Sequence, residues 1–269
     1  MTNITKLRDL QNKNIVITGA SSGIGWQIAL KLAAQNANLI LIARREERLL
    51  QLQKQCQALS TKTVAIQILD VSDAAQVQAT VEKIITNYQH LDVLINAAGF
   101  GDFTNFVETD YDLWQRMFQV NVLGTMLMSR YIAANMMEQE LGQIINIGSM
   151  GGKIATPKSA VYSATKAAVI AFSNSLRLEL KPFNIQVTTV NPGPVNTDFF
   201  KQADHTGKYV ETVDFIMLDP AKLAQKIVAS IGHSVREINI PFIMEIGHVF
   251  YETFPRLGDW VTQNIGNKK

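Results

Sequence analysis

Short apolar runs alternate with longer helical segments along this chain, and this alternation constrains the fold more than any other feature. Each run has the length of a buried strand and is too short for a buried helix. Strands that are apolar throughout belong to parallel sheets covered on both faces. We therefore predict an α/β fold, a doubly wound parallel sheet of about seven strands with helices on both faces, similar to a Rossmann fold. The predicted strands are residues 15–18, 37–43, 64–69, 92–95, 143–148, 185–190 and 237–240.

Helical segments fill the intervals between these strands. Ser72 and Asp73 provide an N-cap for one helix that ends at Tyr88, and Asp219 with Pro220 begins another. The remaining helices are predicted at residues 24–35, 46–59, 160–180 and, as two segments, 110–140. Because no linker or repeat interrupts the chain, residues 1–269 are predicted to form a single domain.

The composition excludes several classes of protein. Hydrophobic residues make up 47% of the 269 residues, which is enough for a full α/β core, and a net charge of +2 gives no case for nucleic acid or an anionic membrane. Residues 1–14 are polar, and no apolar run reaches the ~18 residues that span a bilayer. The single cysteine, Cys56, fits a reducing compartment. We expect a cytoplasmic protein without a membrane span, and no metal site, since no histidine pair has ligand spacing.

Polar or glycine-bearing residues follow most of the predicted strands. The carboxyl ends of parallel strands meet at one edge of the sheet, where α/β proteins bind their ligands. Six strand ends therefore predict one shared site. They are 19–25, Arg44-Arg45, Asp70, 96–99, Ser149 and Pro192-Gly193.

The segment Thr18-Gly-Ala-Ser-Ser-Gly-Ile-Gly25 joins the first strand to the first helix. Glycines in this context allow a tight turn, and the helix N-terminus then offers free amides to a pyrophosphate. An ordinary glycine-rich turn is the alternative. The second strand ends in Ala43, where an NAD-selective fold usually carries an acidic residue, and Arg44 and Arg45 follow. Guanidinium groups suit a 2′-phosphate, so we predict NADP(H) rather than NAD(H), unless the arginines merely begin a solvated helix.

Tyr162 and Lys166 lie four residues apart in an alanine-rich helical segment, so they share a face. A fixed positive charge would lower the pKa of the phenol and improve it as a proton donor. Ser149 ends a strand and would present its hydroxyl to the same point. The three groups would bind and protonate a carbonyl oxygen. The alternative is that Tyr162 and Lys166 are ordinary surface residues, which is what most tyrosine–lysine pairs at this spacing are.

With these residues in place, the chain resembles the short-chain dehydrogenase/reductase family in its single-domain form, over about residues 13–197. The matching motifs occur in the family's order, with thirteen residues from Ser149 to Tyr162. Two positions depart from the family's pattern. Residues 96–99 are Asn-Ala-Ala-Gly where the family has Asn-Asn-Ala-Gly, and Ser22 occupies a position at which many NADP-using relatives have a basic residue. The motifs are Thr18–Gly25, Asp70-Val71, Asn96-Ala-Ala-Gly99, Asn121-Val-Leu-Gly124, Ser149, Tyr162-Ser-Ala-Thr-Lys166, and Pro192-Gly193 with Thr197.

The resemblance implies a role for each position. Tyr162 would be the general acid in reduction and the base in oxidation, and Ser149 would bond the carbonyl oxygen. Lys166 would lower the tyrosine pKa and hold the nicotinamide ribose, and Asn121 would bond a water that relays protons to Lys166. The cofactor-binding residues would be Gly19, Ser21, Ser22, Gly23, Ile24, Gly25, Arg44, Arg45, Asp70, Val71, Asn96, Ala97, Ala98, Gly99, Tyr162, Lys166, Pro192, Gly193, Val195 and Thr197.

The predicted function is NADP(H)-dependent interconversion of a ketone or aldehyde and an alcohol. The alternative is a catalytically silent nucleotide-binding regulatory or structural protein, which the intact Asn121, Ser149, Tyr162 and Lys166 disfavour. The resemblance implies a substrate lid at 194–219 and a homodimer or homotetramer built on the helices around Asn121 and Tyr162. The aromatic tail, residues 241–269, would cap the pocket, form a subunit contact or touch a membrane. Aromatic residues after the fourth strand and in the lid suit a hydrophobic substrate: Phe100, Phe103, Phe106, Phe199, Phe200, Tyr209, Phe215 and, with them, Met217.

Overall fold

The predicted parallel sheet is confirmed in a computed structural model of the protein, which describes residues 3–204 and 207–266. Seven strands, all parallel, lie in the order β3-β2-β1-β4-β5-β6-β7. The strands are β1 Asn14–Thr18, β2 Asn38–Ala43, β3 Val64–Ile68, β4 Val93–Asn96, β5 Gly142–Ile147, β6 Ile185–Pro192 and β7 Glu237–Ile240.

Helices cover both faces of this sheet. The two predicted caps are confirmed: Asp73 accepts a hydrogen bond from Gln76 N, and Asp219 accepts from Ala221 N and Lys222 N. The helices are α1 Gly23–Ala33, α2 Glu46–Leu59, α3 Ala74–Tyr88, α4 Tyr111–Phe118, α5 Thr125–Gln139, α6 Ala160–Leu180, α7 Phe199–Ala203, α8 Lys208–Val213, α9 Pro220–Ala229, α10 Phe242–Thr253 and α11 Pro255–Gly266.

The core forms two layers, one on each face of the sheet. Successive strand residues point to opposite faces, so Leu39 and Leu41 pack in one layer and Ile40 and Ile42 in the other. Helices α1, α2 and α9 contribute to the first layer, and α3 and α5 to the second. The uninterrupted apolar runs follow from this two-sided burial.

The chain order of the strands reverses between β1 and β4, which are neighbours in the sheet. The register aligns Thr18 with Asn96, and Asn96 with Asn146, so these strands end at the same level. The loops that follow them therefore meet at a switch point, the place where such sheets bind ligands.

The two helical segments predicted at residues 110–140 are confirmed as α4 and α5, and a π-helical stretch, Gln119–Gly124, joins them. The tail, where no helix was predicted, forms α10 and α11. Within 3–204 and 207–266, no helix is long and apolar enough to cross a membrane.

Candidate active site

A cavity of about 420 Å³ opens at the carboxyl ends of the strands. It brings together almost all of the residues predicted for cofactor and catalysis, although they come from every part of the chain between the first turn and the lid. The predicted residues that line it are Gly19, Ser21, Ser22, Gly23, Ile24, Gly25, Arg44, Arg45, Asp70, Val71, Ala97, Ala98, Gly99, Ser149, Tyr162, Lys166, Pro192, Gly193, Val195 and Thr197.

The turn after β1 is fixed tightly against the loop after β4. Gly19 has a φ of +66°, and a Cβ at this position would lie 2.6 Å from the Ala97 carbonyl oxygen. Thr18 Oγ1 accepts hydrogen bonds from Ala97 N at 3.1 Å and Ala98 N at 3.2 Å. Only glycine fits this backbone and this close approach, so the turn holds the start of α1 against the cavity.

Arg45 reaches back from the end of β2 to the glycine turn. Its Nη2 donates to Ser21 Oγ at 3.0 Å and to Ser22 Oγ at 2.8 Å. Arg48, on the first turn of α2, donates from Nε to Ser21 O at 3.4 Å and lies 5.0 Å from the Trp26 ring centroid. Two guanidinium groups and two hydroxyls thus form a cradle suited to a phosphate.

Arg48 was not predicted as a site residue. The three-residue spacing from Arg45 at a helix start is the signal that would have found it, since such residues share a face. Arg44 also lines the cavity but pairs with a different residue, since its Nη1 lies 3.4 Å from Asp70 Oδ2. Burial tends to raise the pKa of Asp70, but hydrogen bonds from Ser72 and the charge of Arg44 outweigh it and lower the pKa, so Asp70 stays ionised.

Ser149 and Tyr162 meet at the centre of the cavity. Ser149 follows β5 and caps a short 3₁₀ turn by accepting a hydrogen bond from Gly151 N at 3.0 Å. Tyr162 lies on the first turn of α6, and its ring is close to the same turn: a Cβ on Gly151 would lie 3.3 Å from Ser149 Oγ and 3.6 Å from Tyr162 Cε1. Both residues line the cavity, which therefore offers two hydroxyl groups to a carbonyl oxygen.

Lys166 lies beside Tyr162 on α6 and is buried. Its Nζ donates to Ile147 O at 2.8 Å and lies 5.9 Å from the Tyr162 ring centroid. Burial lowers the pKa of Lys166 to about 8. It also raises the pKa of Tyr162 to about 12, because desolvation outweighs the lowering effect of the Ser149 side chain. The prediction that Lys166 leaves this phenol with a lowered pKa is wrong for this structure, and Tyr162 is a protonated donor at neutral pH.

Asn121 and Asn96 do not line the cavity. Asn121, buried in the π-helical stretch, accepts from Phe100 N at 3.0 Å and donates to Phe100 O at 2.8 Å and Thr165 Oγ1 at 3.1 Å. It thus joins the loop after β4 to α6.

Asn96, at the end of β4, donates to Asn146 Oδ1 at 2.9 Å and Ser129 Oγ at 3.1 Å. Asn96 is therefore a strand-pairing residue in this structure and not a cavity residue.

Aromatic rings form the wall beyond Tyr162. The Phe103 ring centroid lies 5.9 Å from that of Tyr162 and 5.1 Å from that of Tyr209, both edge to face. Phe100, Phe199 and Phe200 also line the cavity. Three predicted candidates do not: Phe106 stacks on Trp114, Phe215 is exposed, and Met217 lies outside the lining.

Met244 on α10 lines the cavity, so the tail supplies part of the pocket wall. Ile154 and Thr156, which follow the Ser149 turn, were not predicted and line the cavity as well.

His205, in the predicted lid, lies outside the described residues. The part of the chain that the structure describes holds no group of three or more histidine, cysteine or acidic residues suited to a metal ion.

A family model described as short chain dehydrogenase matches residues 13–208. An uncharacterised oxidoreductase of Staphylococcus saprophyticus is 36% identical over 82% of this chain and 91% of its own length. An 11-beta-hydroxysteroid dehydrogenase of Pinus massoniana is 30% identical over 94% of this chain and 73% of its own. Among solved structures, an alcohol dehydrogenase from Thermococcus sibiricus, complexed with 5-hydroxy-NADP, superposes with a TM-score of 0.77 at 26% identity, over 86% of this chain and 96% of that one.

Proposed function

The chain belongs to the short-chain dehydrogenase family, and from this premise we propose that it is an NADP(H)-dependent enzyme that interconverts a ketone or aldehyde and the corresponding alcohol. One observation carries the proposal. The side chains of Ser149 and Tyr162, with the buried Lys166 beside them, share a cavity with the glycine turn and Arg45. A proton donor and a dinucleotide-binding turn in one cavity are the two parts that such a reaction needs.

In the proposed reduction, the Ser149 and Tyr162 hydroxyls donate hydrogen bonds to the carbonyl oxygen of the substrate. A bound nicotinamide dinucleotide would supply the hydride that reaches the carbonyl carbon. Tyr162 gives its proton to the oxygen as negative charge develops there, and the nearby Lys166 ammonium stabilises the phenolate that remains. The raised pKa of Tyr162, about 12, keeps the phenol protonated at neutral pH, the state from which it gives up a proton.

The cradle of Arg45, Arg48, Ser21 and Ser22 supports the choice of NADP(H) over NAD(H). It presents guanidinium and hydroxyl groups beside the turn that would take the pyrophosphate. The related alcohol dehydrogenase of Thermococcus sibiricus binds 5-hydroxy-NADP, which is consistent with this choice. Asp70 and Val71 would meet the adenine, and Pro192, Gly193, Val195 and Thr197 would lie along the nicotinamide.

The wall of Phe103, Phe199, Phe200 and Tyr209 supports an apolar carbonyl substrate. Residues 194–219, which carry three of these rings, would act as the substrate lid. The similarity to an 11-beta-hydroxysteroid dehydrogenase agrees with a largely apolar substrate. We also propose that the enzyme is cytoplasmic and that it forms a homodimer or homotetramer.

The test is NADPH oxidation by purified protein over a panel of apolar ketones and aldehydes, for wild type and Tyr162→Phe. We expect Tyr162→Phe to lower turnover ~10²–10⁴-fold and to leave NADPH binding within about twofold. Tyr131→Phe is the matched control, because its phenol is on α5 and donates to the exposed Gln78 amide oxygen. Activity that survives Tyr162→Phe would refute the catalytic assignment. NADPH binding without turnover on any substrate would favour the catalytically silent alternative.

A further inference from the structure

The turn that carries Ser149, residues 149–153, is short and is held from outside at both ends. It is a 3₁₀ turn that Ser149 begins and Lys153 ends. Gly152 N donates to Ser149 O at 3.0 Å, and Lys153 N donates to Met150 O at 3.0 Å. The hydrogen bonds of such turns are few and poorly aligned. The position of the Ser149 hydroxyl therefore depends on the residues that hold the two ends of the turn.

Asn191 lies against the chain just before the Ser149 turn. Gly148 N donates to Val190 O at 2.7 Å, and a Cβ on Gly148 would overlap Asn191 Oδ1, so the Asn191 side chain packs directly on this backbone. Asn191 is fully buried at the end of β6, and its Nδ2 donates to Asn239 Oδ1 on β7 at 2.8 Å. The start of the turn is thus connected through Asn191 to the last strand of the sheet.

Lys153 connects the other end of the Ser149 turn to the same strand. Its Nζ donates to Glu237 Oε2 on β7, and the lysine side chain is 10% exposed. Asn239 Nδ2 donates to the same Glu237 oxygen at 3.2 Å. Glu245 Oε2, on α10, lies 3.7 Å from the Lys153 ammonium. Both ends of the turn therefore converge on one carboxylate, that of Glu237.

This closed network bears on the rate of the reaction as well as on stability. A buried ion pair is weak evidence for stability, because desolvation of the two charges offsets much of their attraction. Hydrogen bonds are directional, however, and a fully connected network fixes the relative positions of its members. A catalytic hydroxyl must lie about 2.7–3.1 Å from the oxygen on which charge develops. Misplacing a catalytic group by about 1 Å costs on the order of 100-fold in rate.

We propose that Lys153 is a positioning residue for the reaction, which sets the Ser149 hydroxyl against the carbonyl oxygen of the substrate. The inference rests on the proposed function, in which Ser149 bonds that oxygen. Lys153 lies outside the lining of the cavity, so it acts on the reaction through the Ser149 turn. Its removal should lower kcat and leave NADPH affinity unchanged, because the glycine turn and Arg45 belong to other elements.

The test is a double-mutant cycle on kcat, with the carbonyl compound that wild type reduces fastest. Lys153→Met should lower kcat ~10-fold in the presence of Ser149 but less than about twofold in Ser149→Ala, where no hydroxyl remains to be placed. Glu237→Gln keeps the size of the side chain and removes its charge, and it should give the same pattern. The dissociation constant of NADPH should stay within about twofold in every variant.

Lys13→Met is the matched control. Lys13 Nζ lies 3.5 Å from Asp92 Oδ1, both side chains are partly buried, and the pair precedes β1 and β4 at the edge of the sheet opposite the cavity. This variant also loses an ion pair, but its kcat should remain that of wild type. Circular dichroism at the assay temperature confirms that each variant is folded.

Amide hydrogen exchange tests the same inference without turnover. The amides of Gly151 and Gly152 donate to Ser149 Oγ and Ser149 O, so their exchange reports on the turn. Lys153→Met should speed their exchange ~10-fold relative to the amide of Ile95 in β4, and Lys13→Met should not. If wild type reduces no carbonyl compound, the proposed function fails, and the exchange rates alone decide whether Lys153 fixes the turn.

Three results would overturn the inference. The first is an equal fall in kcat from Lys153→Met with and without the Ser149 hydroxyl, since the lysine would then act through another group. The second is a comparable fall in Lys13→Met, which would mean that any lost ion pair slows the enzyme. The third is wild-type amide exchange at Gly151 and Gly152 in Lys153→Met, since the turn would then keep its position without the lysine.

Discussion

Tyr162 and Ser149 come from different elements, the first turn of α6 and the turn after β5, yet both lie against Gly151: a Cβ there would be 3.6 Å from Tyr162 Cε1 and 3.3 Å from Ser149 Oγ. The pair lies in a pocket walled by Phe103 and Phe199, whose ring centroids are 5.9 Å and 5.6 Å from that of Tyr162. Burial among these rings raises the pKa of Tyr162 to about 12. The same burial lowers the pKa of Lys166 to about 8, so the lysine, not the tyrosine, titrates near physiological pH.

The pH dependence of reduction should therefore follow Lys166. Below about pH 8 the ammonium is charged and stabilises the phenolate that forms as Tyr162 gives up its proton. We expect kcat/KM for reduction to be flat near pH 7 and to fall as pH rises through about 8. Steady-state rates at saturating NADPH across this range measure it. Lys166→Met should lower the rate and abolish the inflection; an unchanged profile in that variant would assign the titration to another group.

Alanine variants of Gly19, in the turn after β1, and Gly207, in the predicted lid, test how closely the glycine turn approaches the loop after β4. Both have positive φ, +66° and +72°, but a Cβ on Gly19 would lie 2.6 Å from Ala97 O, whereas no atom of the described residues lies within 4 Å of a Cβ on Gly207. Gly207→Ala should cost about 1 kcal/mol of unfolding free energy from the backbone alone. Gly19→Ala adds the steric overlap and should cost about 3 kcal/mol. Urea denaturation compares them, and equal losses would contradict the close approach seen at Gly19.

Lys153 joins the turn after Ser149 to β7 and α10. Its Nζ lies 2.5 Å from Glu237 Oε2, and the lysine side chain is 10% exposed. Lys153→Met leaves Glu237 without its main partner and should cost about 2–3 kcal/mol of unfolding free energy at pH 7. Lys201→Met is the control, since its ion pair with Asp198 is exposed and should contribute at most about 0.5 kcal/mol.

The effect of Lys153→Met should also depend on pH. Burial tends to raise the pKa of Glu237, but hydrogen bonds from Lys153 and Asn239 and the charge of Lys153 lower it overall. A carboxyl with a depressed folded pKa stabilises the protein above its unfolded value, about 4.3, and loses that contribution as pH falls through the folded value. The difference in unfolding free energy between wild type and Lys153→Met should thus be largest at pH 7 and shrink below about pH 4. If that difference does not change with pH, the lost stability comes from packing and not from the ion pair.

Arg45 should discriminate between the two nicotinamide cofactors. A charge-assisted hydrogen bond contributes about 1.5–3 kcal/mol, so Arg45→Ala should weaken NADPH binding ~10–100-fold. NADH lacks the 2′-phosphate, and its affinity should not change. Arg130→Ala on α5, whose guanidinium lies over Tyr131, is the control. An equal loss for both cofactors would mean that Arg45 acts by holding the Ser21-Ser22 turn rather than by binding the phosphate.

Much of the fold and site was predictable because the signals are local. The apolar runs predicted all seven strands, and parallel strand ends then placed residues such as Ser149 and Pro192 at one edge. The pKa of Tyr162 was not predictable, because Phe103 and Phe199, which bury it, are far away in sequence. The helices α10 and α11 were missed, although Phe242, Ile246, Val249 and Phe250 recur at the spacing of one helical face and would have indicated α10.

The most direct test of the account is a side-by-side titration of the wild-type protein with NADPH and NADH, followed by nicotinamide fluorescence. The cradle of Arg45, Arg48, Ser21 and Ser22 predicts that NADPH binds at least ~10-fold more tightly. Equal or tighter binding of NADH would contradict the assignment of the arginines to a 2′-phosphate and would redirect the search for substrates toward alcohol oxidation.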